Sequence, residues 1–233
     1  MVESATTKGL LLRLAVVLGT TCALRVTITP PNPPPREGEK RKISVVEKST
    51  VGIMKTVMRA SYLFAGIAET ILITTHLIAR MMGSTFLSNT CVQKLELTPI
   101  AAAGCILACI GASIRAWCYQ ALGRLFTFEF AILSDHKLIT SGPYAYVRHP
   151  SYTGGMLSLV GTTVVYGTRG SMMYHCPVGY SVWGPLWIVL VVVSCALMVD
   201  RCLREDRVLH ATFGRNWEEW RRRVRWRLIP WIF

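Results

Sequence analysis

Five apolar stretches, Gly9–Ile28, Ala60–Ala79, Pro99–Cys118, Tyr152–Thr168 and Val182–Val199, constrain this chain more than any other feature. A helix needs about 20 residues to cross a bilayer, and all five reach or approach that length. The fourth is the shortest and contains glycine. Charged residues make up 17% of the 233 and hydrophobic residues 52%, with a mean hydropathy of +0.38. Soluble domains carry about 25% charged residues, so there is too little charge here to cover a water-facing surface. The expected fold class is an all-α polytopic membrane helix bundle with five transmembrane helices. Arg13 inside the first stretch, with no small-x-small cleavage site after it, favours a retained anchor over a secretory signal.

The basic residues sort the loops. Residues 29–59 hold seven Lys/Arg, 81–97 one, 119–151 three, 169–181 one and 200–233 nine. The positive-inside rule places the first, third and last of these in the cytosol, with the N-terminus on the opposite side. The net charge of +13 could also suit nucleic acid, but no zinc-finger spacing or RNA-binding aromatic signature accompanies it. Thr29–Lys42 opens with five prolines in six positions and then turns basic, as a polyproline spacer ahead of a lipid-facing stretch would. The eight cysteines are scattered without a C-x-x-C pair and are expected as small buried hydrophobes, neither bridged nor metal-bound.

Polar residues gather in three places. Glu69 and His76 share a face of the second stretch, and Arg115 is the candidate partner of Glu69. Ser134–Gly155 carries His136, Tyr144, Tyr146, Arg148, His149 and Tyr152 around the turn signals Ser141-Gly142-Pro143 and Pro150. After the fifth stretch, Arg201 and Glu205 stand four apart on a continuing helix. Leu209, Phe213, Trp217, Trp220 and Val224 then form an apolar stripe flanked by arginines. This is the pattern of an amphipathic segment lying on the cytosolic leaflet, with Gly214 as a break point.

The run Gly142-Pro143-Tyr144, Arg148-His149-Pro150-x-Tyr152-x-Gly154, Arg201-x3-Glu205-Asp206 and Phe213-Gly214-x2-Trp217, with Gly111-x3-Arg115 and Gly123-x2-Phe126 upstream, resembles the isoprenylcysteine carboxyl methyltransferases. It covers roughly residues 105–230. The Arg-His-Pro element is shared with phospholipid N-methyltransferases, and the ending Trp226-Arg227-Leu228-Ile229-Pro230 resembles membrane sterol reductases. The family's paired glutamates are Glu205-Asp206 here, and its usual tyrosine after Phe-Gly is Trp217.

The resemblance implies an endoplasmic reticulum enzyme that transfers a methyl group from S-adenosylmethionine to the terminal carboxylate of prenylated CaaX proteins. Residues 1–59 would be an anchor and linker and 60–233 the core, with a cytosolic cofactor pocket. Around S-adenosylmethionine it implies Glu129, His136, Lys137, Leu138, Ile139, Tyr144, His149, Pro150, Ser151, Tyr152 and Glu205. Arg201 and Glu205 are the implied catalytic residues, Arg201 facing the methyl acceptor. A phospholipid N-methyltransferase, a sterol-type reductase and a non-catalytic scaffold are the alternatives. Gly154 and Gly161, seven apart, are expected to permit close helix packing.

Overall fold

The computed structural model describes residues 6–33, 45–83, 91–127, 137–176 and 180–233. Among them it contains seven α-helices and no strand: α1 (Thr7–Ile28), α2 (Val45–Met81), α3 (Pro99–Leu122), α4 (Pro150–Gly167), α5 (Met172–His175), α6 (Tyr180–Phe213) and α7 (Arg215–Arg223). Local chemistry sets several boundaries. Thr6 and Thr98 cap α1 and α3 by accepting from the Gly9 and Ala101 amides, and Pro99 and Pro150 occupy first-turn positions where no amide hydrogen is needed. Gly214, at φ 50°, separates α6 from α7 in a backbone region that other residues rarely adopt.

Among the described residues, α1, α2, α3 and α6 are long and apolar enough to cross a membrane. The expected stretch Tyr152–Thr168 becomes α4, which at 18 residues is roughly 27 Å long and runs antiparallel to α3 through the same thickness. Glycines allow that pairing. A Cβ on Gly111 would lie 2.5 Å from the Gly154 carbonyl oxygen and 2.5 Å from the Ser158 nitrogen; one on Gly161 would lie 2.5 Å from the Gly104 oxygen and the Ala108 nitrogen. The two backbones therefore touch at two levels one heptad apart, so the expected close packing at Gly154 and Gly161 is what these glycines do. α6, at 34 residues or roughly 51 Å, is much longer than a bilayer core of about 30 Å and carries Arg201–Phe213 past one end of the bundle.

Three expectations are corrected. The partner of Glu69 is Arg13, not Arg115: Arg13 Nε donates to Glu69 Oε1 at 2.6 Å with both side chains fully buried, and Arg13 NH2 also reaches the Val165 carbonyl at 2.9 Å. Glu69 lies level with Val165 and Met172, whereas Arg115 sits at the other end of α4, donating to Ser151. Second, Cys91 and Cys176 form a disulfide. They are 85 residues apart, and only the packing of α5 against the short 3-10 turn Cys91–Lys94 brings them together. Third, the Leu209–Val224 stripe does not lie on lipid. Trp217, Trp220 and Val224 are buried against Cys118, Phe126 and Tyr144, with Leu209 and Phe213 packed alongside. The polyproline and basic run falls largely outside the described residues.

Candidate active site

The first turn of α4 is held from three sides at the bundle end opposite the disulfide. On one side Arg115 NH1 donates to the Ser151 carbonyl at 3.0 Å and to its hydroxyl at 3.1 Å, which fixes the turn against α3. On another the chain after α7 folds back, and its Trp226 and Arg227 carbonyls accept from the Arg148 and His149 amides at 2.9 and 2.8 Å. The third side is α6. Its Asp206, 5% exposed, accepts from His149 Nε2 at 2.9 Å through Oδ1, while Oδ2 faces Arg227 Nε at 3.0 Å and Arg148 NH1 at 3.2 Å. Burial pulls the Arg148 pKa below its ordinary value, and the Asp206 carboxylate beside it opposes that shift.

One turn of helix away, Tyr152 donates its hydroxyl hydrogen to Glu205 Oε2 at 2.7 Å and also interacts with Arg201. Tyr152 thus joins the cation and the anion that α6 presents four residues apart. His149 and Tyr152 rings lie 5.9 Å apart at 46°. Tyr144, in the 3-10 turn Gly142–Ala145, is buried beside them, and its carbonyl accepts from Trp220 Nε1 at 3.2 Å. Burial pushes its phenol well above the ordinary value, so it remains a neutral hydroxyl.

The structure therefore brings together Tyr144, His149, Pro150, Ser151, Tyr152, Arg201 and Glu205. Leu138 and Ile139 pack on the same cluster as Tyr144, Trp217 and Trp220, while Lys137 is exposed. Glu129 and His136 lie outside the described residues. The residue that sequence reasoning undervalued is Asp206. Its importance comes from three donors that arrive from distant parts of the chain, and the only local signal was its position beside Glu205.

A family model of the isoprenylcysteine carboxyl methyltransferase (ICMT) family matches residues 104–211. The matched region runs from Gly104 in α3 through the held turn of α4 to Ala211 of α6, and so contains the Tyr152–Arg201–Glu205 cluster. Protein-S-isoprenylcysteine O-methyltransferase of Schizosaccharomyces pombe is 30% identical over 118 residues, 50% of this chain and 44% of that protein. Protein-S-isoprenylcysteine O-methyltransferase B of Arabidopsis thaliana is 31% identical over 123 residues, 52% and 55% of the two chains. A Delta(14)-sterol reductase of Mus musculus is 30% identical over 100 residues, 43% of this chain and 21% of the reductase. The alignments span about half the length of the methyltransferase relatives.

Proposed function

We propose that this protein methylates the C-terminal carboxylate of prenylated cysteine with S-adenosylmethionine, at the cytosolic face of the endoplasmic reticulum membrane. The observation that carries the reading is the Arg201–Tyr152–Glu205 cluster, set between α4 and α6 inside the family-matched region. An α-carboxyl has a pKa of about 3.3–3.7, so the acceptor is already a nucleophile at neutral pH and needs orientation rather than a base. Arg201, always charged and planar in its donors, suits that role. A phospholipid amine would first have to lose a proton.

The donor set fits the cofactor. Glu205 is a partly exposed carboxylate beside two tyrosines, which suits a ligand carrying ammonium and sulfonium charge. When bound, S-adenosylmethionine supplies an electrophilic methyl group. Glu205 would hold its amino group, Tyr152 would keep Glu205 in place, and the 138–139 and 149–152 segments would line it. The Trp217, Trp220 and Tyr144 cluster keeps water from the back of the site. A prenyl chain resting in the bilayer can reach Arg201 along α6, whose Val189, Val192 and Val193 are exposed on the lipid side.

Two independent features support the orientation. Arg124, Arg148, Arg221, Arg222, Arg223 and Arg225 lie at the end that carries the cluster, and the Cys91–Cys176 disulfide lies at the other end. Disulfides persist in oxidising compartments, as the lumen is.

The test is methyl transfer from labelled S-adenosylmethionine to a farnesylcysteine analogue and, separately, to ethanolamine phospholipid. Base-labile label on the prenylcysteine supports the proposal; label only on lipid moves the function to amine methylation. The sterol reductase likeness gives a second reading, favoured if the purified protein binds NADPH and not S-adenosylmethionine.

A further inference from the structure

The apolar stripe expected to meet the leaflet is buried in the protein, yet a different apolar group stands exposed after it. Residues 226–228 are pinned to the first turn of α4 through the Arg148 and His149 amides and through Thr153 Oγ1, which donates to the Leu228 carbonyl at 2.7 Å. Residues 229–233 then close on themselves. The Ile232 and Phe233 amides donate to the Ile229 carbonyl at 3.2 and 3.1 Å, and the Arg227, Leu228 and Ile229 amides donate to the Phe233 oxygen at 2.9, 2.8 and 3.1 Å. Within this turn Trp231 has φ 63°, the one positive value among the described non-glycine residues. That conformation is costly for a bulky L-residue and persists only where surrounding bonds impose it. Its result is to point large apolar side chains outward: Trp231 is 83% exposed, Ile232 75% and Ile229 47%.

The level of this turn is set by α4. Its first turn lies beside Arg115 of α3, close to where the Trp117 and Tyr146 rings meet at 6.2 Å and the apolar run of α3 ends. Tryptophan and tyrosine gather at that depth of a bilayer, where a ring can be half in headgroups. Arg221, Arg222, Arg223 and Arg225, all exposed, lead directly into the turn.

We infer that the Ile229–Phe233 turn is a membrane-interface anchor for an anionic leaflet. Trp231 and Ile232 enter the headgroup and upper acyl region, and the Arg221–Arg225 run meets lipid phosphates beside them. Because the segment leading into it accepts from the Arg148 and His149 amides, the anchor holds the first turn of α4 at the membrane surface. The inference does not depend on the proposed reaction.

The experiment uses the full chain in liposomes whose phosphatidylcholine is brominated high on the acyl chain, comparing the protein with Trp231→Phe. Trp231 is one of seven tryptophans, so total emission should fall by about one seventh in the variant, and the component lost should be one that the bromolipid quenches. Aqueous iodide should leave that component unquenched. Brominated phosphatidylserine diluted in plain phosphatidylcholine should quench it at least about twofold more than brominated phosphatidylcholine at the same mole fraction. Replacing Arg222, Arg223 and Arg225 with glutamine should remove that preference. A Trp231 component quenched by iodide and not by bromolipid places the turn in water, facing a soluble partner, and overturns the inference. Equal quenching by the two bromolipids overturns its anionic part. Ile232→Ser keeps the reporter and should lower bromolipid quenching; unchanged quenching there also refutes insertion.

Discussion

Replacing Gly111 with alanine tests how the site is held at its depth. The added Cβ would stand 2.5 Å from the Gly154 oxygen, 2.5 Å from the Ser158 nitrogen and 3.0 Å from the Ser158 Cα, where ordinary contact begins at 3.4 Å. All three atoms are backbone, so no rotamer change relieves the overlap. The helices must part by about 0.9 Å, the difference between 3.4 and 2.5 Å. A gap of that size forfeits roughly a quarter to a half of the dispersion well across the crossing. Overpacking of this kind costs about 1–3 kcal/mol, occasionally more, while alanine returns up to about 1 kcal/mol of helix propensity. A net loss of about 1–2 kcal/mol follows, or a Tm drop on the order of 2–8 °C. Arg115, one turn beyond Gly111, holds Ser151, so cofactor affinity should weaken as well. Thermal unfolding in nanodiscs is the assay, with Gly52→Ala as control, since nothing lies within 4 Å of a Cβ there. If Gly111→Ala unfolds no lower than the control, the account of the α3–α4 crossing is wrong.

Glu205→Gln should lose cofactor affinity at least about tenfold while Arg201→Ala mainly raises KM for the prenylcysteine acceptor; titrating both ligands on each variant separates the roles. Arg13→Met should destabilise by about 3–5 kcal/mol because it strands buried Glu69, and Arg13→Met with Glu69→Leu should recover most of that, read as Tm. Cys91→Ser should cost about 2–4 kcal/mol, and reductant should lower the Tm of the parent protein but not of the variant. Asp206→Ala leaves Arg148 buried without its counter-charge and should cost about 3–5 kcal/mol, with Asp206→Glu recovering part of the stability and the cofactor affinity together.

What the sequence determined by itself is what repeats along one dimension. Runs of apolar residues long enough for a bilayer specify helices, because backbone groups in lipid must be satisfied within the segment. Loop charge sorts the connections between helices into strongly and weakly basic ones. Turn chemistry at Pro150 and Gly214 marks boundaries that the structure keeps at α4 and between α6 and α7. The grouping of His149, Tyr152, Arg201 and Glu205 was legible only through a motif resemblance, since 49 or more residues separate its two halves.

Pairings across the bundle were decided by the tertiary structure. Glu69 could meet either Arg13 or Arg115, and only helix depth selects Arg13. Cys91 and Cys176 have no local spacing signal, and Asp206 gains its three side-chain partners only when α4, α6 and the returning chain converge. An amphipathic pattern states that a helix has an apolar face without naming what covers it. In Trp217 and Trp220 that cover is Tyr144 and Phe126 rather than lipid, because α7 follows a kink at Gly214 that turns its apolar side back onto the bundle.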